Sequence, residues 1–181
     1  NERAHSAGEK HAQYERAIRA MKNRLDGYGN EYLRPTSDLL ESLSADYGHK
    51  EAGQNLKVAR ATSKSLVDSN QATSCEYVEQ SRSERAQALI LDSFNGKVEA
   101  ILSRVKHSNY GKLSQQIRDA QAAVNHGGQA FRNAKVTDVY LDARLLELKW
   151  AAAVQELKRR EQEEQRAIRE QIREEQRAQR E

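Results

Sequence analysis

Proline occurs once, at Pro35, and glycine only nine times in 181 residues, so little in the chain interrupts a helix. Cysteine also occurs once, at Cys75. A single thiol excludes an internal disulfide and a paired-cysteine metal site, and it suits a reducing compartment. No stretch approaches the roughly 18 apolar residues that a membrane-spanning helix needs, and no signal peptide is visible. Hydrophobic residues make up only 37% of the chain and charged residues 31%. That is lean for a compact globule but too rich for a disordered chain, so the expected core is modest and part of the chain is exposed helix. The net charge is +3, nearly balanced, which gives composition alone little weight as a sign of nucleic-acid binding. The chain starts without Met and stops inside a charged segment, which reads as a piece of a longer protein.

What is present is helical periodicity. In residues 1–26, Tyr14, Ile18, Met21 and Leu25 form a narrow apolar stripe on an otherwise polar helix. Such a stripe suits a coiled-coil arm or a helix lying on a neighbour. Gly27-Tyr28-Gly29-Asn30 breaks it. After Pro35, any of Thr36, Ser37 or Asp38 can cap a short helix carrying Leu39, Leu40 and Leu43. A further helix covers roughly residues 50–68, with Ala52, Leu56, Ala59, Leu66 and Val67 inward. Thr73 to Val78 favours extended backbone and reads as a short strand that needs a partner elsewhere.

The strongest core signal lies at residues 82–107, where Ala86, Ile90, Phe94, Val98, Ile101 and Val105 share one face. Gly96 inside it is expected to permit a close helix crossing, or else to mark a kink. A helix over residues 112–125 carries Leu113, Ile117, Ala120 and Val124, and His126-Gly127-Gly128 is expected to stop it. A short helical piece near Phe131 leads to Thr137, a good N-cap with Asp138 in the first turn. The last helix runs from residue 138 to the end, with Leu141, Leu145, Leu148, Ala152 and Leu157 on its apolar side and Trp150 offset as a second anchor. From Lys158 to Glu181 the pattern changes: these 24 residues hold eight basic and seven acidic ones. Arg159 with Glu163, Arg160 with Glu164, Arg166 with Glu170 and Arg177 with Glu181 stand i, i+4 apart. Such pairs support a helix with little packing, about 36 Å long over these residues.

No catalytic constellation emerges, and no cofactor is expected: there is no phosphate-binding loop, dinucleotide fingerprint, zinc-helix motif or nucleophile motif. His5, His11, His49, His107 and His126 lack ligand spacing and read as surface residues. Asp38, Glu41 and Asp46 read as ordinary solvated acids, and Cys75 as a half-buried structural thiol. Residues 97–112 hold Lys97, Arg104, Lys106, His107 and Lys112 around Tyr110, with Glu99 the only acid. This is either a patch for nucleic acid or a partner, or a solvated helix face followed by a turn.

Two groups of blocks carry a family resemblance. The first is Tyr47 to Gln54 followed by Cys75 to Glu79. The second comprises Asp92 to Val98, Ser103 to Lys106, Asn109 to Leu113, Ala130 to Ala134, Glu147 to Ala151 and Glu163 to Glu175. In this order, over residues 30–181, the chain resembles the bacterial domain of unknown function 4041. The Phe94-Asn95-Gly96-Lys97 and Glu147-Leu148-Lys149-Trp150 blocks carry the specificity, since Glu/Arg repeats are common. The resemblance implies a module that precedes a GIY-YIG nuclease in proteins of anti-phage defence, with a coiled coil and in some members a membrane anchor upstream. Neither Gly27-Tyr28-Gly29 nor Asn109-Tyr110-Gly111 forms the nuclease motif, so this chain by itself is expected to be no enzyme.

The expected architecture is therefore mainly α, with at most one short strand or hairpin. Residues 1–29 form a helical or coiled-coil arm, 30–157 a helical core and 158–181 a charged helical linker toward a nuclease domain. The expected role is sensing, targeting and interaction with a phage or membrane-associated partner. The alternatives are a DNA-presenting module and a structural oligomerisation unit, with homo-oligomers forming through the helical arms. The expected location is the bacterial cytoplasm, at the inner face of the membrane where an upstream anchor is present.

Overall fold

The computed structural model describes residues 2–32, 48–106 and 108–179. The short helix expected around Leu39 to Leu43, its capping residues, the acids Asp38, Glu41 and Asp46, and His107 lie outside them. The described chain is mainly α, with five α-helices and one small antiparallel sheet: α1 (Glu2–Asp26), α2 (His49–Asp68), β1 (Thr73–Ser74), α3 (Gln80–Leu102), α4 (Tyr110–Gly128), β2 (Lys135–Val136) and α5 (Asp138–Ala178). Single 3-10 turns follow α1 and α4 at Asn30–Tyr32 and Gln129–Phe131.

The core forms where the 3.6-residue stripes of α3, α4 and α5 meet. Ile90, Phe94 and Val98 from α3, Leu113, Ile117 and Val124 from α4, and Leu141, Leu145 and Leu148 from α5 are all buried in one cluster. Phe94 meets the ring of Tyr140 edge-on, with centroids 6.0 Å apart, and the Tyr140 hydroxyl donates to Asn95 Oδ1 at 2.8 Å. The Thr137 hydroxyl caps α5 by accepting from the Tyr140 amide, and the helix then runs 41 residues without a break. Gly96 is exposed and nothing lies near its Cβ position, so it marks no close crossing. Helix α3 stops at Leu102, short of the expected 107, because Asn109 folds back on the turn. Its side chain accepts from the Lys106 amide at 2.9 Å and donates to the Arg104 carbonyl at 2.8 Å.

The most extensive helix pairing is between α2 and α5. They run antiparallel: Ala52 sits against Ala152 and Ala153, while Ser63 and Val67 share a groove with Tyr140 and Arg144. Small side chains at Ala52, Ala59, Ala152 and Ala153, all buried, let the two backbones approach. Trp150 joins the same cluster and is the second anchor expected from its offset.

The strand expected after Thr73 is two residues long and finds its partner within the chain, Thr73 opposite Val136 and Ser74 opposite Lys135. The outer edge of β2 is closed by a side chain. Asn125 accepts from the Val136 amide at 2.8 Å and donates to its carbonyl at 3.1 Å, taking the place of a third strand. Helix α4 ends at the glycines as expected, though at Gly128 rather than at residue 125, and Gly128 keeps a right-handed φ of −66° that leads straight into the 3-10 turn. Glycine is required there for approach: a Cβ at Gly128 would stand 1.8 Å from the Ala134 carbonyl oxygen.

Helix α1 lies on α4. Its docking face is Ala17, Ala20 and Asn23, and of the apolar stripe Tyr14 meets α4 at His126 while Ile18 is 65% exposed and Leu25 85%. Gly27 ends α1 with φ of +80°, the left-handed position that glycine fills without strain.

Candidate functional site

The basic segment at residues 97–112 divides between two sides of the fold. Glu99, its only acid, is drawn into an ion pair with Arg144 of α5. That leaves Lys97, Arg104, Lys106 and Lys112, all exposed. Arg104 donates from Nε to the Ala100 carbonyl at 3.0 Å and from Nη2 to Gln116 at 2.9 Å, which holds it over the start of α4. Tyr110 is half-buried and packs toward the Ala52, Ala152 and Ala153 cluster.

A different tyrosine stands with these cations. Tyr28, beyond the end of α1, lies edge-on to Tyr32 with ring centroids 5.4 Å apart, and the Lys112 ammonium is 6.0 Å from its centroid. The Tyr28 hydroxyl donates to Asp119 Oδ2 at 2.8 Å. Burial pushes its pKa well up, and the Asp119 carboxylate adds to the shift, so the phenol stays protonated. Asp119 also accepts from Asn23 and Gln115, each at 2.8 Å. A buried carboxylate with three donors needs no cation of its own. Arg104, Lys112, Tyr28 and Tyr32 thus form the surface around the joint between α1 and α4. The sequence placed Arg104 and Lys112 in a patch; Tyr28 and Tyr32 were missed, since only folding brings them there.

A second polar constellation lies inside the fold. The Arg144 guanidinium meets both oxygens of Glu147 through Nη1, at 3.0 and 3.2 Å, and Glu99 through Nη2. Arg144 and Glu147 are both buried. Burial opposes the charge on Arg144, but Glu99 and Glu147 outweigh it and hold its pKa above the ordinary value. The sequence carried a signal for this pair: Arg144 and Glu147 interrupt the apolar side of α5 between Leu141 and Leu148 at i, i+3 spacing.

The histidines fall into different settings. His5 and His11 are exposed and face Glu9 and Glu15 one turn on, at 3.3 and 3.7 Å. His126 is half-buried, with its ring edge-on to Tyr14 and centroids 6.3 Å apart, which corrects its reading as a surface residue. Cys75 is half-buried beneath the carbonyls of Phe131 and Arg132, as its sequence setting implies. Among the described residues no cluster of His, Cys, Asp or Glu could hold a metal ion, and no helix is long and apolar enough to cross a membrane.

Beyond the core, α5 continues alone. Glu156 is its last buried residue, gripped by Arg159 at 2.9 Å and Arg160 at 3.1 Å, and residues 162–179 are exposed on every side. Arg160 therefore turns back to Glu156 rather than forward to Glu164. Among known families, the one described as SNIPE associated domain matches residues 46–159, more than half of the chain. No curated protein and no solved structure matches.

Proposed function

The chain belongs to the SNIPE associated domain family, and on that premise we propose that it is a non-catalytic interaction module that accompanies a nuclease. The observation that carries this reading is the passage of α5 from a packed core, whose last buried residue is Glu156, into a charged rod exposed on every side over residues 162–179. One element is at once part of the recognition body and the arm that leaves it, so a partner held by the body is held at a set position relative to the arm. The resemblance to domain of unknown function 4041 supplies the finer reading. The module senses a phage or membrane-associated protein and positions a GIY-YIG nuclease in bacterial anti-phage defence, at the inner face of the membrane. Catalysis then belongs to the nuclease and not to this segment.

The test is made in the full-length protein. Removing residues 30–150 in frame is expected to leave DNA cleavage by the purified protein intact and to abolish protection of cells against phage. Equal protection with and without those residues overturns the reading.

One observation favours a second reading, a module that presents DNA. Arg104 and Lys112 stand beside Tyr28 and Tyr32, a combination that suits phosphate contact with base stacking. It predicts retention of DNA at low salt that fades steeply as salt rises. Unchanged retention after Lys106→Glu with Lys112→Glu discards it.

A further inference from the structure

Helix α1 carries a repeat that its own docking does not use. Ala7, His11, Tyr14, Ile18, Met21 and Leu25 recur at alternating steps of four and three residues, the d and a positions of a heptad. All six are exposed. The face that meets α4, through Ala17, Ala20 and Asn23, is centred about 140° round the helix from this seam, at about 100° per residue. Packing on α4 therefore leaves the seam open, with Tyr14 touching His126 at its rim. A helix that packs on a globular neighbour keeps a period of about 3.6 residues, whereas a strict period of about 3.5 belongs to a helix that wraps around another helix.

The charges beside the seam say which helix covers it. Lys10, Ala17 and Arg24 take the g positions, and Gly8, Glu15 and Lys22 the e positions. When two copies of α1 lie parallel and in register, each g position faces the following e position of the other copy. Lys10 then meets Glu15 of the second copy, twice by symmetry, Ala17 meets Lys22, and no like charges oppose each other. When two copies lie antiparallel over the whole seam, e faces e and g faces g. Glu15 then meets Glu15 and Lys10 meets Arg24, both repulsive. Sliding the antiparallel copies by a heptad relieves that repulsion only by uncovering one end of the seam. His11 stands at an a position, where facing polar side chains fix the register at some cost in stability. We propose that α1 pairs with α1 of a second copy of this chain as a parallel, in-register two-stranded coiled coil. The two bodies are then related by a two-fold axis that runs along the arm. The inference rests on α1 alone, so its failure leaves the interaction-module reading untouched.

The test is sedimentation equilibrium of the full chain over a concentration series, followed by cysteine cross-linking. The chain is expected to pass reversibly from monomer to dimer, and a monomer up to about 1 mM overturns the proposal. Lys10→Glu is expected to weaken the dimer about fivefold through its two symmetric ion pairs, and Lys10→Glu with Glu15→Lys to restore it. An unchanged dissociation constant in the single variant, or no recovery in the double one, overturns the pairing of these charges and with it the proposal. Orientation is read by oxidation. Leu25→Cys is expected to form an interchain disulfide well above the level of the unaltered chain, whose one thiol is Cys75. In a parallel pair, positions 7 and 25 of the two copies stand about 27 Å apart, so Ala7→Cys mixed with Leu25→Cys should give no cross-link between the two variants. That mixed product, or a dimer in which Leu25→Cys does not cross-link, overturns the parallel arrangement.

Discussion

The side-chain amide of Asn23 donates to the Asp119 carboxylate at 2.8 Å, across 96 positions of sequence. With the Tyr28 hydroxyl on the same oxygen, this contact fixes the rotation of α1 about its own axis and so decides which of its faces meets solvent. Replacing Asp119 with Ala strands three donors, those of Asn23, Tyr28 and Gln115, and is expected to cost about 1–3 kcal/mol. Amide hydrogen exchange should then quicken through α1 while α3 and the first half of α5 keep their protection. Unchanged exchange in α1 would show that Ala17 and Ala20 suffice to hold it.

Two glycines predict opposite outcomes. Gly96→Ala fills open space on an exposed helical face and should stabilise the fold by about 0.5–1 kcal/mol. Gly128→Ala drives a methyl into the Ala134 carbonyl and should destabilise it by about 1–3 kcal/mol through forced backbone movement. Urea denaturation of the two variants measures both; the same sign for both contradicts the packing described.

Glu156 sets an acid limit. The hydrogen bond from Arg159 lowers its pKa, burial opposes the shift, and Arg160 adds to the lowering, for a net value below the ordinary 4.5. A carboxyl lowered in the folded state contributes its full stabilisation above pH 4.5 and loses it as the pH falls through the folded value. Thermal unfolding should therefore weaken more steeply below pH 4.5 in the wild type than in Glu156→Gln. Parallel profiles would mean that the cluster with Arg159 and Arg160 contributes nothing at this joint.

The exposed seam on α1 separates assembly from folding. Ile18 and Met21 are exposed, at 65% and 47%, so Ile18→Lys with Met21→Lys should change stability by less than about 0.5 kcal/mol. If the arm pairs copies of the chain, the same variant turns a light-scattering dimer into a monomer. A mass that does not differ between wild type and variant removes α1 as an oligomer contact.

Much of the core was readable in advance. Continuous stripes such as Ile90, Phe94 and Val98 report burial directly, and Thr137 before Asp138 announced the start of α5. The docking of α1 was not readable, because its buried face uses two alanines and an asparagine while the apolar weight sits on the solvent side. Strand β2 escaped because two residues carry no periodicity, and its edge is closed by Asn125 from a helix. At the candidate site the cations were visible as composition. Their aromatic neighbours, and the reach of Arg144 across to Glu99 of α3, depend on contacts that spacing along the chain does not encode.

The unbroken run of α5 also stores direction. In one continuous α-helix every residue advances the axis by about 1.5 Å and turns it by about 100°. Inserting one residue near Arg166 would swing the far end of the rod about a third of a turn while hardly lengthening it; inserting seven would lengthen it by about 10 Å and return it close to its first bearing. The helix is thus an azimuthal key as well as a spacer, and the two settings can be altered almost independently.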